Sequence, residues 1–320
     1  MQEPSGTTSA ATSRAVLFES FGGPEALTVR DVPAPQAGPG QIRVRVTAAG
    51  LNPMDWFMTS DAETAARFGL SLPCGFGTDY AGVVDQVGAG VTGFAVGDRV
   101  FGGALSRAVA DHVVVDAAGT IAAGGDAHHT PDGVDDRTAA TLSIAGCTAA
   151  AALAVVKPGP GDTLLVGGAG GGVGVFAVQL ARIAGARVIG TGSATSADAL
   201  RALGAEPVAY GEGLVDRVRA LAPGGVTAAV DLFGTDTAQA ARDLGVPDAR
   251  ITTIAAQVDG ITPTNGANAA PGTLEEIAGL VAEGRLRVPV AASFPMERIR
   301  DAAELQAGRH VHGKVVVDLQ

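Results

Sequence analysis

The 320-residue chain is poor in cysteine (two), tyrosine (two) and tryptophan (one), and it lacks any long hydrophobic run. Each shortage excludes a class of protein. Cys74 and Cys147 form no Cys-x-x-Cys pair, which excludes a disulfide framework and a four-cysteine zinc lobe and points to a reducing compartment. The longest apolar run, Ala145 to Val156, is too short to span a bilayer. Residues 1–13 are small and polar, without the apolar core of a secretory signal, so a cytoplasmic protein with a disordered tail over 1–13 is expected. Basic residues are the minority: 22 Lys and Arg against 33 Asp and Glu give a net charge of −11. That balance opposes binding to nucleic acid or an anionic membrane and leaves a small molecule as the expected partner. With 47% hydrophobic and 17% charged residues, the chain has material for a sizeable core and length for two domains.

Glycine, by contrast, is abundant, and its densest cluster lies in the stretch TLLVGGAGGGVGVFAVQLARIAGARVIGTG, from Thr163 to Gly192. A short apolar run is followed by apolar residues at three- and four-residue steps (Phe176, Ala177, Leu180, Ala184) and then by a second extended run, which reads as strand, turn, helix, strand. Within the turn Ala169, Gly171 and Gly174 fall at offsets 0, 2 and 5, with Gly172 and Val173 between them, and Gly172, Gly174 and Ala177 fit a second register. This is the spacing of a dinucleotide site, where missing side chains let backbone N–H groups and a helix N-terminus approach a pyrophosphate. An unliganded glycine turn is the alternative, and the completeness of the surrounding unit weighs against it. A carboxylate that would bond a ribose 2′-hydroxyl is missing at the end of the second strand, where Thr191, Gly192 and Ser193 stand. NADPH is therefore favoured over NADH, although no Lys or Arg occurs from 188 to 200.

From Arg14 to Gly119 short alternating runs punctuated by Gly and Pro predict antiparallel β structure. A helix is predicted over Thr138 to Val156, and βα alternation follows, with strands at Thr163–Gly167, Arg187–Gly190, Pro207–Tyr210, Ala228–Phe233, Arg250–Ala255 and Leu286–Val290. These predict an α/β fold with a six-stranded doubly wound parallel sheet over 137–290, an antiparallel β domain over 14–136, and a tail over 291–320 that returns to it. The stretch from Ala256 to Gly272 reads as an irregular loop.

Five further segments, AAGLNPMDWF (48–57), GTDYAGVVDQVGAGVTGFAVGDRV (77–100), GCTAAAAL (146–153), RVIGTGSATSADALRALGA (187–205) and VHGKVVVDL (311–319), resemble the medium-chain dehydrogenase/reductase superfamily in its zinc-free quinone oxidoreductase (zeta-crystallin-like) branch. The resemblance implies a GroES-like substrate domain, an inserted Rossmann domain, NADPH between them, and a homodimer. It also implies hydride delivery to a quinone or to the β-carbon of an α,β-unsaturated carbonyl. The zinc enzymes of the superfamily place a cysteine where Asn52 stands, a histidine where Thr78 stands in Gly77-Thr78-Asp79, and a third ligand near Ile144, so no metal is expected; His128 and His129 lie in a connector. By resemblance Asn52 holds the substrate oxygen and Thr148 faces the nicotinamide. Asn52 also reads as a turn residue before Pro53, with Asp55 as anchor of that turn. Tyr210 matches a contact to the 2′-phosphate or is a buried strand-end tyrosine; Trp56 and Phe57 line a substrate pocket or sit in the core. Phe233, Gly234, Ile254 and Ala255 fall where ligands sit in such sheets. A non-catalytic NADPH-binding protein of the same fold is the second reading.

Overall fold

The structure is a computed structural model that describes residues 12–308 and 311–319. Its parallel sheet has the order Glu206–Ala209, Arg187–Gly192, Thr163–Gly167, Ala228–Asp231, Ile251–Thr253, Thr262–Pro263. Chain order reverses on either side of Thr163–Gly167, so this strand stands at the switch point where such sheets bind ligands. Its middle residues Leu164, Leu165 and Val166 are fully buried, as expected of a strand covered by helices on both faces. One covering helix, Ser143–Val156, buries Ala145, Ala149, Ala152 and Val156 in the same cluster as Leu164, Val166, Phe176 and Ile277.

A second sheet runs Val290–Pro295, Lys314–Asp318, Gln41–Leu51, Asp79–Val87, Arg99–Gly103, His128–His129, with His112–Asp116 also paired to Gln41–Leu51. Thr12–Phe18, Leu27–Pro33 and Cys74–Gly75 form a third. Gln41–Leu51 alternates at first, with Ile42, Val44 and Val46 buried and Arg45 exposed, and then becomes continuously buried from Ala48 to Leu51. There the second face is covered: a Cβ on Gly50 would run into the Ala140 carbonyl. The tail returns as expected, since Lys314–Asp318 pairs antiparallel with Gln41–Leu51.

Three expectations are corrected. Residues 1–11 lie outside the described residues, but Thr12 and Ser13 belong to the first strand rather than to a tail. The helix expected over 138–156 is two, Asp136–Ala139 and Ser143–Val156; Asp135 caps the first, and the second restarts where the Asp79 carboxylate accepts the Ile144 N–H at 3.1 Å. The sixth parallel strand is Thr262–Pro263, inside the supposed loop, and not Leu286–Val290. At Leu286–Val290 the Arg287 backbone is met by Gln179 instead: its amide donates to the Arg287 carbonyl at 2.8 Å and accepts the Arg287 N–H at 2.9 Å, meeting needs that a sheet ladder would otherwise meet.

Candidate active site

The glycine turn joins Thr163–Gly167 to the helix Gly174–Ile183. A Cβ on Gly174 would collide with the Gly168 and Ala169 carbonyls, so helix and strand approach each other there as closely as backbone allows. Ala169 turns inward and is fully buried, close to Gly190. Gly171 differs: a Cβ there would meet only the Gly168 carbonyl at 3.3 Å, so this face of the turn is open. No side chain caps the helix; Val175 and Phe176 donate to the Gly171 and Val173 carbonyls at 3.0 and 3.2 Å, so an anion would meet the N–H groups just ahead of them. The open face of the turn, at Gly171 and Gly172, leaves room for a dinucleotide pyrophosphate.

The far end of the chain closes this turn. Gly313 donates its N–H to the Gly170 carbonyl at 2.9 Å, and a Cβ on Gly172 would lie 3.2 Å from Cδ of Lys314.

Beside the turn, Gly192 ends its strand and its carbonyl accepts the Tyr210 N–H at 3.4 Å. Tyr210 is 62% exposed, which removes the reading of it as a core tyrosine. Ser193 Oγ lies 2.8 Å from Thr195 Oγ1 and 3.4 Å from Ser196 Oγ. Arg217, which sequence reasoning passed over, donates to the carbonyls of Ala209, Tyr210, Gly211 and Glu212 at 2.8–3.2 Å. It brings a positive charge to the strand end where 188–200 offers none. Further along, buried Asp231 accepts the N–H groups of Phe233, Gly234, Thr237 and Ala238 at 2.8–3.1 Å and so shapes the loop that carries the exposed Phe233. Ile254 is half-buried and Ala255 exposed at the next strand end.

Asn52 precedes the short helix Pro53–Phe57 and is buried at 3% exposure. Its Nδ2 donates to Asp79 Oδ2 at 2.9 Å, and its Oδ1 accepts from Lys314 Nζ at 2.5 Å. A lysine only donates and a carboxylate only accepts, so these neighbours fix the amide's orientation and leave the second Nδ2 hydrogen unclaimed by Asp79. Asp55 anchors the turn as expected, accepting the Asn52 N–H at 2.7 Å and the Thr78 hydroxyl at 2.7 Å. Burial pushes the Asp55 carboxyl up to about 7 and Asp79 up to about 6. Burial also lowers Lys314, against the attraction of Asp79 and Asp55. Lys314 was the other site residue missed: it sits 262 residues from Asn52, and nothing in its own segment points to that partner.

Thr148 donates to the Ile144 carbonyl at 2.6 Å, and Gly266 packs over it, with a hypothetical Cβ 3.1 Å from Thr148 Oγ1. Trp56 and Phe57 part company. Trp56 donates Nε1–H to Gln306 Oε1 at 2.7 Å and packs on the substrate-domain core, whereas Phe57 is exposed. Trp56 thus anchors its short helix to the helix Ile299–Ala307.

The positions that would carry zinc ligands do converge, but their chemistry does not suit the ion. Asn52 and Asp79 hold an ammonium, Thr78 donates to Asp55, and Ile144 offers a backbone N–H. Burial pushes nearby Cys147 up to about 12, so it is a neutral thiol. Among the described residues no group of three or more His, Cys, Asp or Glu is placed to hold a metal ion.

A doubly wound sheet with a glycine turn at its switch point, joined to an antiparallel β domain that brings a buried polar cluster to the same turn, defines a nicotinamide-dependent oxidoreductase. Residues 38–183 match the alcohol dehydrogenase GroES-like domain family and residues 203–317 the zinc-binding dehydrogenase family. The chain is 31% identical to a quinone oxidoreductase of Pseudomonas aeruginosa, over 95% of this chain and 99% of that protein. A human quinone oxidoreductase is 37% identical over a shorter stretch, 56% of this chain and 52% of that protein. The solved quinone oxidoreductase of Coxiella burnetii superposes with a TM-score of 0.85 at 28% identity, covering 97% of this chain and 100% of that one. The chain belongs to the medium-chain dehydrogenase/reductase superfamily, in its quinone oxidoreductase branch.

Proposed function

We propose that this oxidoreductase uses NADPH and no zinc, and reduces a conjugated acceptor: a quinone, an enone or an enoyl thioester. The observation that carries the reading is the Asn52 cluster, in which the positions of the zinc ligands are tied together by hydrogen bonds around Lys314. When bound at the turn, NADPH supplies a hydride, one hydrogen with two electrons, to the acceptor's electrophilic carbon. The displaced π pair moves to the carbonyl oxygen, Asn52 donates its remaining Nδ2–H to that oxygen, and a proton from water completes the reduction. A neutral donor suffices because conjugation spreads charge that a simple ketone would concentrate on one atom. Exposed Phe57, at the end of the Asn52 helix, offers an apolar face to the acceptor.

Support for NADPH comes from the Ser193–Thr195–Ser196 hydroxyls, Tyr210 and the Arg217 charge around the place for a 2′-phosphate. Thr148, Ile254, Ala255 and Phe233 would face the nicotinamide half. A cytoplasmic homodimer with both thiols free completes the proposal. The test is a panel of quinones, enones, enoyl thioesters, ketones and alcohols with NADPH oxidation as readout, before and after exhaustive chelation. Turnover of at least one conjugated class, unchanged by chelation, is expected. Stoichiometric NADPH binding with no turnover would replace the reading by a non-catalytic one, and activity lost on chelation and restored by zinc would overturn the metal-free part.

A further inference from the structure

Lys314 is a buried cation between two buried carboxylates, Asp79 and Asp55, yet its short bond goes to neither. Nζ lies 3.7 Å from Asp79 Oδ2 but 2.5 Å from the Asn52 amide oxygen. Asp79 instead accepts from the nitrogen of that same amide at 2.9 Å. The amide is therefore inserted between a positive and a negative charge, with the cation on its oxygen and the anion on its nitrogen. Both contacts favour the resonance form with charge on oxygen and a positive nitrogen, and they do so where burial leaves the field unscreened. The nitrogen's second hydrogen becomes a stronger donor.

The stem of Lys314 is held as firmly as its head. It runs beside Gly172 of the glycine turn, and its backbone N–H donates to the Pro289 carbonyl at 2.9 Å. Lys314 is 2% exposed, so the ammonium has little access to bulk water. A charge in such a place persists only when its neighbours compensate for lost hydration.

We propose that Lys314 is a positioning residue for hydride transfer: by holding Asn52 Oδ1 it orients and polarises the amide whose free N–H stabilises the oxygen of the reduced acceptor. This rests on the functional reading above. It extends that reading by making the donor strength of Asn52 depend on a residue that acts through the Asn52 amide.

Lys314→Met keeps the stem against Gly172 and removes the donor. It should lower kcat roughly tenfold to a hundredfold, the range set by losing a hydrogen bond to a charged group, with KM and NADPH affinity within about threefold of the parent. Asn52→Ala should lower kcat as well, and the double variant should be no slower than the slower single one, because both changes act through one amide. A readout that needs no turnover comes from selective ¹⁵N-asparagine labelling, since the chain has only Asn52, Asn265 and Asn268. The side-chain amide signal that disappears in Asn52→Ala should move markedly in Lys314→Met while the other two stay in place. Lys314→Gln serves if the methionine variant does not fold; it can still donate an N–H but carries no charge, and it should lose roughly threefold to tenfold in kcat, the difference between a charged and a neutral hydrogen bond. A folded variant with parental kcat, an unmoved Asn52 signal, or losses that multiply in the double variant would each overturn the proposal while leaving the functional reading intact. A parent that reduces nothing in the acceptor panel would instead remove that reading, and the proposal with it.

Discussion

Gly171 and Gly174 are both glycines of one turn, yet a side chain at each would meet different things. At Gly174 a Cβ enters the Gly168 and Ala169 carbonyls; at Gly171 it faces open space apart from one carbonyl at 3.3 Å. Gly171→Val should therefore leave thermal unfolding nearly unchanged and abolish NADPH binding by calorimetry, because its bulk lies where the pyrophosphate would lie. Gly174→Val should also lose binding, but by breaking the turn, with roughly 1–3 kcal/mol or more of stability lost as in other overpacked sites. Parental NADPH affinity in Gly171→Val would move the cofactor elsewhere. Cofactor choice belongs to the same scale. The parent should prefer NADPH by roughly tenfold, the size of one or two hydrogen bonds to a charged group. Ser193→Asp should reverse that order by repelling a 2′-phosphate, and Arg217→Gln should shrink it by removing the nearby positive charge. Equal kcat/KM for both cofactors in the parent would contradict the assignment of Ser193, Tyr210 and Arg217.

Elements were legible where one local rule decides them. The turn, its strand and its helix follow from glycine spacing and apolar periodicity, and Asn52 and Asp55 from the turn before Pro53. The sixth parallel strand was not legible, because Leu286–Val290 and Thr262–Pro263 are both short, and the partner of the Arg287 backbone is a side chain far away in sequence. Gln179 Nε2 bonds the Val175 and Arg287 carbonyls at 2.7 and 2.8 Å, and its Oε1 accepts the Arg287 N–H. Periodicity placed Gln179 on a helix but could not tell what it would bond. Lys314 and Arg217 escaped for the same reason: each acts through partners that no sequence window contains together. Gln179→Leu should leave the Arg287 N–H and carbonyl unpaired at a cost of about 1–3 kcal/mol each at most. Thermal unfolding measures this, and an unchanged midpoint would mean that water or a ladder takes the glutamine's place.

At the scale of the molecule, the cluster that joins Asn52, Asp55, Thr78 and Asp79 to Lys314 and Ile144 fastens the substrate domain to the helix covering the Rossmann sheet. Burial raises the Asp55 carboxyl from its ordinary range to about 7 and Asp79 to about 6. A carboxyl that binds its proton more tightly in the folded state stabilises fully below its unfolded pKa, and that contribution is lost as pH rises through the folded value. Between about pH 4 and about pH 7 these two groups therefore make folding less favourable with each step upward. His128, paired with Asp126 and Glu275 and raised in pKa, acts in the same sense; Lys314, lowered by burial, acts in the opposite sense, losing its contribution as pH falls. The difference between parent and variant isolates Asp55 from both. Asp55→Asn should be less stable than the parent at about pH 5, since an amide cannot accept from both the Asn52 N–H and the Thr78 hydroxyl without turning a donor toward one of them. The gap should narrow as pH rises toward about 8, because the parent alone then carries the buried charge. Unfolding midpoints across that range decide it: a gap that stays constant or widens would mean that the Asp55 carboxyl is ionised throughout and that Lys314 already neutralises it.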